Sequence, residues 1–157
     1  MMIVEHHDNN KKVGRMRKQL AFAGWNSSVT PAMDNDAGGT SGGAAVLWRH
    51  HLQCKAVVLG SMLEANGRAA FATRKVRGAT LTIAAVYLIS GKGDGPDTCE
   101  LLAELGQSME SRGNPCVAFG EWNMQPAGMA NTEWTQTVGC TIVPSRWNPI
   151  YIWRSHH

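Results

Sequence analysis

Apolar residues in this chain fall mostly into short runs fenced by glycine and polar clusters. The clearest run is Thr80-Leu81-Thr82-Ile83-Ala84-Ala85-Val86-Tyr87-Leu88, which alternates at first and then becomes fully apolar. That pattern predicts a strand over 79–89 that passes into a buried sheet. A second strand over 68–76 precedes it, and Arg77-Gly78 between them is a tight hairpin turn. Further strands are predicted over 44–48, 55–59, 116–119 and 140–143, and residues 1–4 read as the tail of another. Helical spacing is different: Val13, Met16 and Leu20 share one face of a helix over 10–23, capped by Asp8, Asn9 or Asn10 and closed by Gly24. Leu101, Leu102 and Leu105 do the same for a helix that starts at a cap on Asp97 or Thr98, runs to about Arg112 and is closed by Gly113. A short helix is expected over 129–138, and polar, glycine-rich loops over 26–41 and 91–95. Strand, helix, several strands, helix, strand, short helix, strand is the order of an α/β mixed-sheet sandwich with helices on its outer faces. No repeat or long linker divides it, so residues 1–145 are read as one domain and the aromatic, aperiodic 146–157 as an irregular tail.

Composition narrows the class only a little. The 157 residues are 43% hydrophobic and 17% charged, which suits a chain with a genuine core and excludes a disordered or fibrous one. A net charge of +3 does not by itself point to nucleic acid. The basic cluster Lys11, Lys12, Arg15, Arg17 and Lys18 and the acidic set Asp94, Asp97, Glu100, Glu104 and Glu110 read as two solvated helix faces. Cys54, Cys99, Cys116 and Cys140 are widely spaced with no C-x-x-C pair, so buried free thiols and an intracellular, reducing setting, cytoplasmic or nuclear, are expected. No apolar run approaches the roughly 20 residues that span a bilayer, so no membrane partner is expected. The start, Met1-Met2-Ile3-Val4-Glu5, lacks the basic and apolar regions of a signal peptide.

Candidate chemistry lies where Cys116-Val117-Ala118-Phe119 runs into Gly120-Glu121-Trp122-Asn123. A buried strand ending in a glycine, a carboxylate and an amide is one way to build a phosphate site: the strand fixes the backbone, glycine admits the turn, and the polar side chains project from the strand's end. Trp122 is placed to stack on a base or sugar, while most of the other tryptophans read as core. His6-His7 and His50-His51 are set aside as metal ligands, because adjacent strand residues point to opposite faces.

Four segments, in order, are similar to the endonuclease/exonuclease/phosphatase superfamily, the magnesium-dependent phosphodiesterase fold of abasic-site and retroelement endonucleases. Ile3-Val4-Glu5-His6-His7 resembles its strand ending in a metal-binding glutamate. Thr40-Ser41-Gly42-Gly43-Ala44-Ala45-Val46-Leu47-Trp48-Arg49 resembles its glycine-pair strand, and Ile83-Ala84-Ala85-Val86-Tyr87-Leu88 the strand with an active-site tyrosine. Gly120-Glu121-Trp122-Asn123 resembles its Gly-Asp-x-Asn. The resemblance implies a DNase I-like sandwich that hydrolyses a phosphodiester, with DNA or RNA among the substrate classes. It implies Mg²⁺, or Mn²⁺ in its place, on Glu5; Tyr87 donating to a phosphate oxygen; Asn123 orienting the phosphate or nucleophile; and Glu121 positioning or deprotonating the water. Each residue also has a plainer reading: Glu5 an exposed acid after a strand, Tyr87 an ordinary strand aromatic, Asn123 a turn-former.

The pattern departs from the family in three places. Glu121 stands where the family has aspartate, the chain begins almost at Glu5 without the family's first strand and asparagine, and the late Asp and terminal Ser-Asp-His have no counterpart. Ser155-His156-His157 is not that segment, since it lies only 34 residues beyond Glu121. The expectation is a truncated member, nuclease-like if active. The alternative is a catalytically inactive remnant, either binding nucleic acid through Lys11–Lys18 or without function, and a third reading is an unrelated α/β domain.

Overall fold

The apolar run over 79–89 becomes a central strand of the larger of two packed sheets. The computed structural model describes residues 1–36, 38–58, 60–143 and 150–153. In chain order, its first half comprises β1 (Met2–Val4), α1 (Asn10–Phe22), β2 (Trp25–Thr30), β3 (Met33–Asp34), β4 (Thr40–Ser41), β5 (Ala44–Arg49), β6 (Cys54–Val57) and α2 (Met62–Ala65). There follow β7 (Ala69–Val76), β8 (Ala79–Tyr87), α3 (Pro96–Glu110), β9 (Cys116–Glu121), α4 (Pro126–Asn131), α5 (Trp134–Thr137), β10 (Cys140–Val143) and β11 (Ile150–Trp153).

One sheet has the order β10-β11-β9-β8-β7-β6 and the other β1-β5-β2, while β3 and β4 pair separately. All pairs are antiparallel except β8 with β9, which α3 connects as a crossover. The turn between β7 and β8 has positive φ at both Arg77 and Gly78, which matches the twist of a two-residue hairpin.

Side-chain parity builds four layers. Ala44, Val46 and Trp48 of β5 meet Ala70 and Ala72 of β7 and Ala85 of β8, and these small residues let the sheets close on each other. Val13, Met16 and Leu20 of α1 cover the far side of the small sheet, against Val29, Ala45 and Leu47. Leu63, Leu101, Leu102, Leu105, Met109 and Met129 cover the far side of the large sheet, against Phe71, Ala84, Val86 and Ala118. The expected mixed-sheet sandwich with helices outside is the observed one.

Several local expectations need correction. Residues 25–30, read largely as loop, form β2, with Ser28 and Thr30 buried between the sheets; Thr30 Oγ1 donates to the Ala69 carbonyl at 2.7 Å, so a polar strand is satisfied inside. α2, unread in the sequence, is one turn with a capping box between Ser61 and Glu64. α3 starts one residue before the expected cap, with Gly95 as N-cap and Pro96 in the first turn, where its missing N–H costs nothing. The helix over 129–138 is two, broken at Glu133 in the left-handed region (φ 55°). Of the tail over 146–157, Ile150–Trp153 forms a strand between β9 and β10, because it completes the backbone pairing of both; its other residues, and Leu59 of the 55–59 strand, lie outside the described ones.

The four thiols are free, but not all buried: Cys99 is exposed on α3, whereas Cys116 is buried. Burial pushes the thiols of Cys116 and Cys140 up to about 12. Iodoacetamide at pH 8 is therefore expected to alkylate Cys99 first and Cys116 only on unfolding, as peptide mass spectrometry would read. Early modification of Cys116 would contradict this packing.

Candidate active site

Three strands deliver the candidate residues to one end of the sandwich. Tyr87 ends β8 and pairs in register with Glu121 at the end of β9. By alternation both side chains lie on the same face as Ala85, toward the small sheet. The parallel strands approach so closely at Gly120 that a Cβ there would overlap the Val86 carbonyl oxygen. From the small sheet, β1 hands over to Glu5 just past its last residue.

After β1 the backbone leaves the extended region. Glu5 (φ 56°) and His7 (φ 58°) are both left-handed, a costly conformation that persists only where the surroundings hold it. What holds it is visible. The His7 amide donates to the Gly42 carbonyl at 3.2 Å. His6 Nε2 lies 3.1 Å from the Thr30 carbonyl and its Nδ1 accepts from the Asp8 amide at 3.0 Å, so both ring nitrogens are used by a neutral imidazole. Burial lowers the His6 pKa, in keeping with that state. At Gly43, whose φ is +89°, a Cβ would run into the His6 ring. His6 is thus a structural pin, its two ring nitrogens held at Thr30 and Asp8.

Glu5 and Tyr87, 82 residues apart, meet directly: Tyr87 Oη donates to Glu5 Oε1 at 2.7 Å. The phenol is pushed up to about 12, first by burial and then by its bond to the Glu5 carboxylate, with Glu121 adding to the shift. It is therefore a committed proton donor. The Arg68 guanidinium lies over the Tyr87 ring, 5.1 Å from its centre, and its buried Nη1 has no hydrogen-bond partner among the described residues. Asn123 adopts φ 52° and donates through Nδ2 to the Leu88 carbonyl at 2.6 Å, closing the turn that follows β9. Its turn-forming role is real.

Trp122 is not a stacking platform. It is 2% exposed and packs on Trp134 at 6.2 Å between ring centres, inside the helix-side core. Two further residues lie here: Arg68, which the sequence did not flag, and His7, which was set aside as a ligand. Arg68 arrives through the β7–β8 hairpin, and no local signal marks it. His7 Nε2 lies 3.8 Å from Glu5 Oε1, and the i, i+2 spacing at a strand's end could have found it.

Among the described residues no group of three or more His, Cys, Asp and Glu gathers as a full metal cage. Mg²⁺ does not require one: it is commonly bound through one or two carboxylates with several waters retained. Glu5 fits that pattern, with a hard oxygen donor set, one oxygen fixed by Tyr87 and the side chain 36% exposed.

Tyr87→Phe is expected to lower stability by about 1.5–3 kcal/mol, the usual worth of a hydrogen bond to a charged group. The sign with pH follows from the raised phenol pKa: its contribution is complete below pH 10 and is lost as pH climbs from 10 toward about 12. The Phe variant should lose that part of the alkaline slope, and equal melting curves for both proteins across this range would contradict the assignment.

No family model matches the sequence, and no curated protein does. Solved structures do match. The human Nocturnin catalytic domain with bound sulfate superposes with a TM-score of 0.61 at 17% identity, over 99% of this chain and 68% of that one. D. rerio TDP2 complexed with a single-stranded DNA product gives 0.56 at 15% identity, over 98% and 70%. The endonuclease domain of TRAS1, a telomere-specific non-LTR retrotransposon, gives 0.57 at 10%, over 97% and 83%. At such identities the likeness establishes the fold.

Proposed function

We propose that this chain, whose fold is that of the endonuclease/exonuclease/phosphatase superfamily, hydrolyses phosphodiesters of nucleic acid with the help of a divalent cation. The observation that carries the reading is the 2.7 Å bond from Tyr87 Oη to Glu5 Oε1, made where β1, β8 and β9 all end. A carboxylate fixed by a neutral phenol, with a second carboxylate and a guanidinium beside that phenol, combines groups for holding a cation and a phosphate.

Glu5 is the residue that would hold Mg²⁺ or Mn²⁺, and the cation when bound supplies charge neutralisation and water activation. When a phosphate binds, Tyr87 turns its single proton from Glu5 Oε1 to a phosphate oxygen, and its raised pKa keeps that proton on the phenol throughout the physiological range. Arg68, stacked on that ring, adds positive charge on the phosphate side. Glu121 orients the attacking water and accepts its proton. Asn123 holds the turn through Nδ2, which leaves Oδ1 to accept from the water. Nucleic acid is the favoured substrate class because one similar structure holds a DNA product and another is an endonuclease domain. The free thiols support an intracellular setting.

One observation favours a second reading, a phosphate-binding remnant without turnover. Glu121 is one methylene longer than the aspartate of the resembled motif, a misplacement that costs on the order of a hundredfold, and Asn123 Nδ2 already gives one of its two protons to Leu88. A direct test incubates the purified chain with bis(4-nitrophenyl) phosphate and with a labelled single-stranded oligonucleotide, in Mg²⁺ or Mn²⁺ and in EDTA. Cleavage that EDTA stops is expected. Oligonucleotide binding without cleavage would replace the proposal with the second reading.

A further inference from the structure

We infer that the outer face of α1 is a binding surface for single-stranded nucleic acid, with Lys11, Arg15 and Lys18 on its phosphates and Phe22 stacked on one of its bases. The inference deepens the proposal above and rests on its reading of the substrate as nucleic acid. It adds a surface outside the site at Glu5 and Tyr87.

Three observations converge on this face. The first is alignment. Lys11, Arg15, Lys18 and Phe22 follow one another at helical spacing in α1, so they form one stripe, and all four are exposed. The stripe lies opposite Val13, Met16 and Leu20, which pack on the small sheet. It is about 16 Å long, roughly five nucleotides at the 3.4 Å rise of a stacked strand and fewer in an extended one. The second is charge. The sequence has no carboxylate between Asp8 and Asp34. Among the described residues the ion pairs are His7 with Glu5 and Lys92 with Asp97, so Lys11, Arg15 and Lys18 have no acidic partner. Arg17 of the same basic cluster is different: its Nη2 donates to the Val29 carbonyl at 2.7 Å and braces β2.

The third is Phe22, which ends α1 and is 97% exposed. A lone exposed aromatic means little. This one continues the line of cations, and a cationic track with an aromatic on it is how single strands are held without regard to sequence. A single strand fits better than a duplex, because a ring reaches the face of a base only where bases are unstacked. A bilayer fits worse: a helix lying on one turns an apolar face to the lipid, and that face of α1 is covered by Val29, Ala45 and Leu47. The helix begins five residues after Glu5, so the stripe starts at the end of the sandwich that holds the proposed site, and a strand leaving the site continues onto it.

The test is binding in EDTA, apart from turnover. A fluorescein-labelled oligothymidylate is titrated, across a range of salt, with the unmodified chain, a Lys11→Gln/Arg15→Gln/Lys18→Gln triple variant and Phe22→Ala. A Lys55→Gln/Arg74→Gln/Lys75→Gln variant removes the same charge from exposed positions of β6 and β7 as a control. Each phosphate contact adds about 0.7 to the slope of log affinity against log salt, so the α1 triple variant should lose about 2 of that slope and at least about tenfold in affinity at low salt. Phe22→Ala should lose about tenfold with the slope unchanged, because stacking releases no counterions. The control should keep both, and all four proteins should turn over bis(4-nitrophenyl) phosphate equally, since it is too short to touch α1. Unchanged affinity in the α1 triple variant or in Phe22→Ala, or an equal loss in the control, overturns the inference. So does binding to phosphatidylserine vesicles without binding to the oligonucleotide. Cleavage of the oligonucleotide with the same KM in all four proteins removes this surface and leaves the proposed hydrolysis standing; binding that follows the stripe in a chain that cleaves nothing keeps the surface and removes the hydrolysis.

Discussion

Gly120→Ala is expected to abolish cooperative folding. The position is not special for its φ; it is special because β8 and β9 run parallel there with Val86 opposite Gly120, and a methyl group would occupy the space of the Val86 carbonyl oxygen. Neither partner is the end of a flexible side chain, so relief requires parting the two strands. Those strands join the β6–β8 half of the large sheet to the β9–β11 half, and their residues Ala84, Val86 and Ala118 lie in the main core. A loss above about 4 kcal/mol is the scale for such overpacking, against a total stability of about 5–15 kcal/mol for a domain. Gly128→Ala is the control: it sits in α4, where an added Cβ meets only Met124 Cβ at 3.9 Å, and Ala is the better helix residue by up to about 1 kcal/mol. Near-ultraviolet circular dichroism and thermal melts of the two variants decide the matter. A Gly120→Ala protein that melts like its parent would show that the strands do not converge as described.

Glu5→Gln is expected to remove activity while sparing the fold. The amide has the same shape and keeps an Oε1 for Tyr87 Oη, so the left-handed turn after β1 retains its partner. Only the charge is lost. Without it the cation has no carboxylate at this position, and a rate loss of about a hundredfold or more is the expected scale for deleting one preorganised electrostatic group. The same loss is visible without substrate. A ligand that binds only the native state, at a hundred times its Kd, adds about 2.7 kcal/mol of stability. Mn²⁺ should therefore raise the melting temperature of the unmodified chain and leave that of Glu5→Gln where it was. An equal rise in both would place the cation elsewhere.

The strands that form the site were the readable part of the sequence, for a physical reason. Residues 84–87 are buried on both faces and 116–119 are buried or half-buried, so their apolar runs are nearly continuous, and the glycine–carboxylate ending of β9 stands out against them. β2 was hidden because its inward residues are Ser28 and Thr30, whose burial depends on hydrogen bonds to a distant strand, and no local pattern encodes that. The strand Ile150–Trp153 was hidden because an aperiodic aromatic stretch gains its pairing only from β9 and β10.

Within the site, Glu5, Tyr87 and Glu121 could be named from the segments that resemble the superfamily's motifs, yet their meeting across two sheets could not. Trp122 misled because a tryptophan beside polar residues looks like a platform, whereas strand alternation turns it into the helix-side core. His7 was passed over because it was weighed against its neighbour His6. The relevant partner was Glu5, two residues back, and the left-handed turns that align them are tertiary in origin.

The most direct measurement of the central claim is the rate of cleavage of one labelled single-stranded oligonucleotide by the unmodified chain, Tyr87→Phe and Glu5→Gln, at equal folded concentration in Mn²⁺. A graded series is predicted: cleavage by the unmodified chain that EDTA abolishes, a reduced rate in Tyr87→Phe, and a rate in Glu5→Gln indistinguishable from the EDTA control. Three equal rates, or no cleavage by the unmodified chain, would contradict a phosphodiesterase site built on Glu5 and Tyr87.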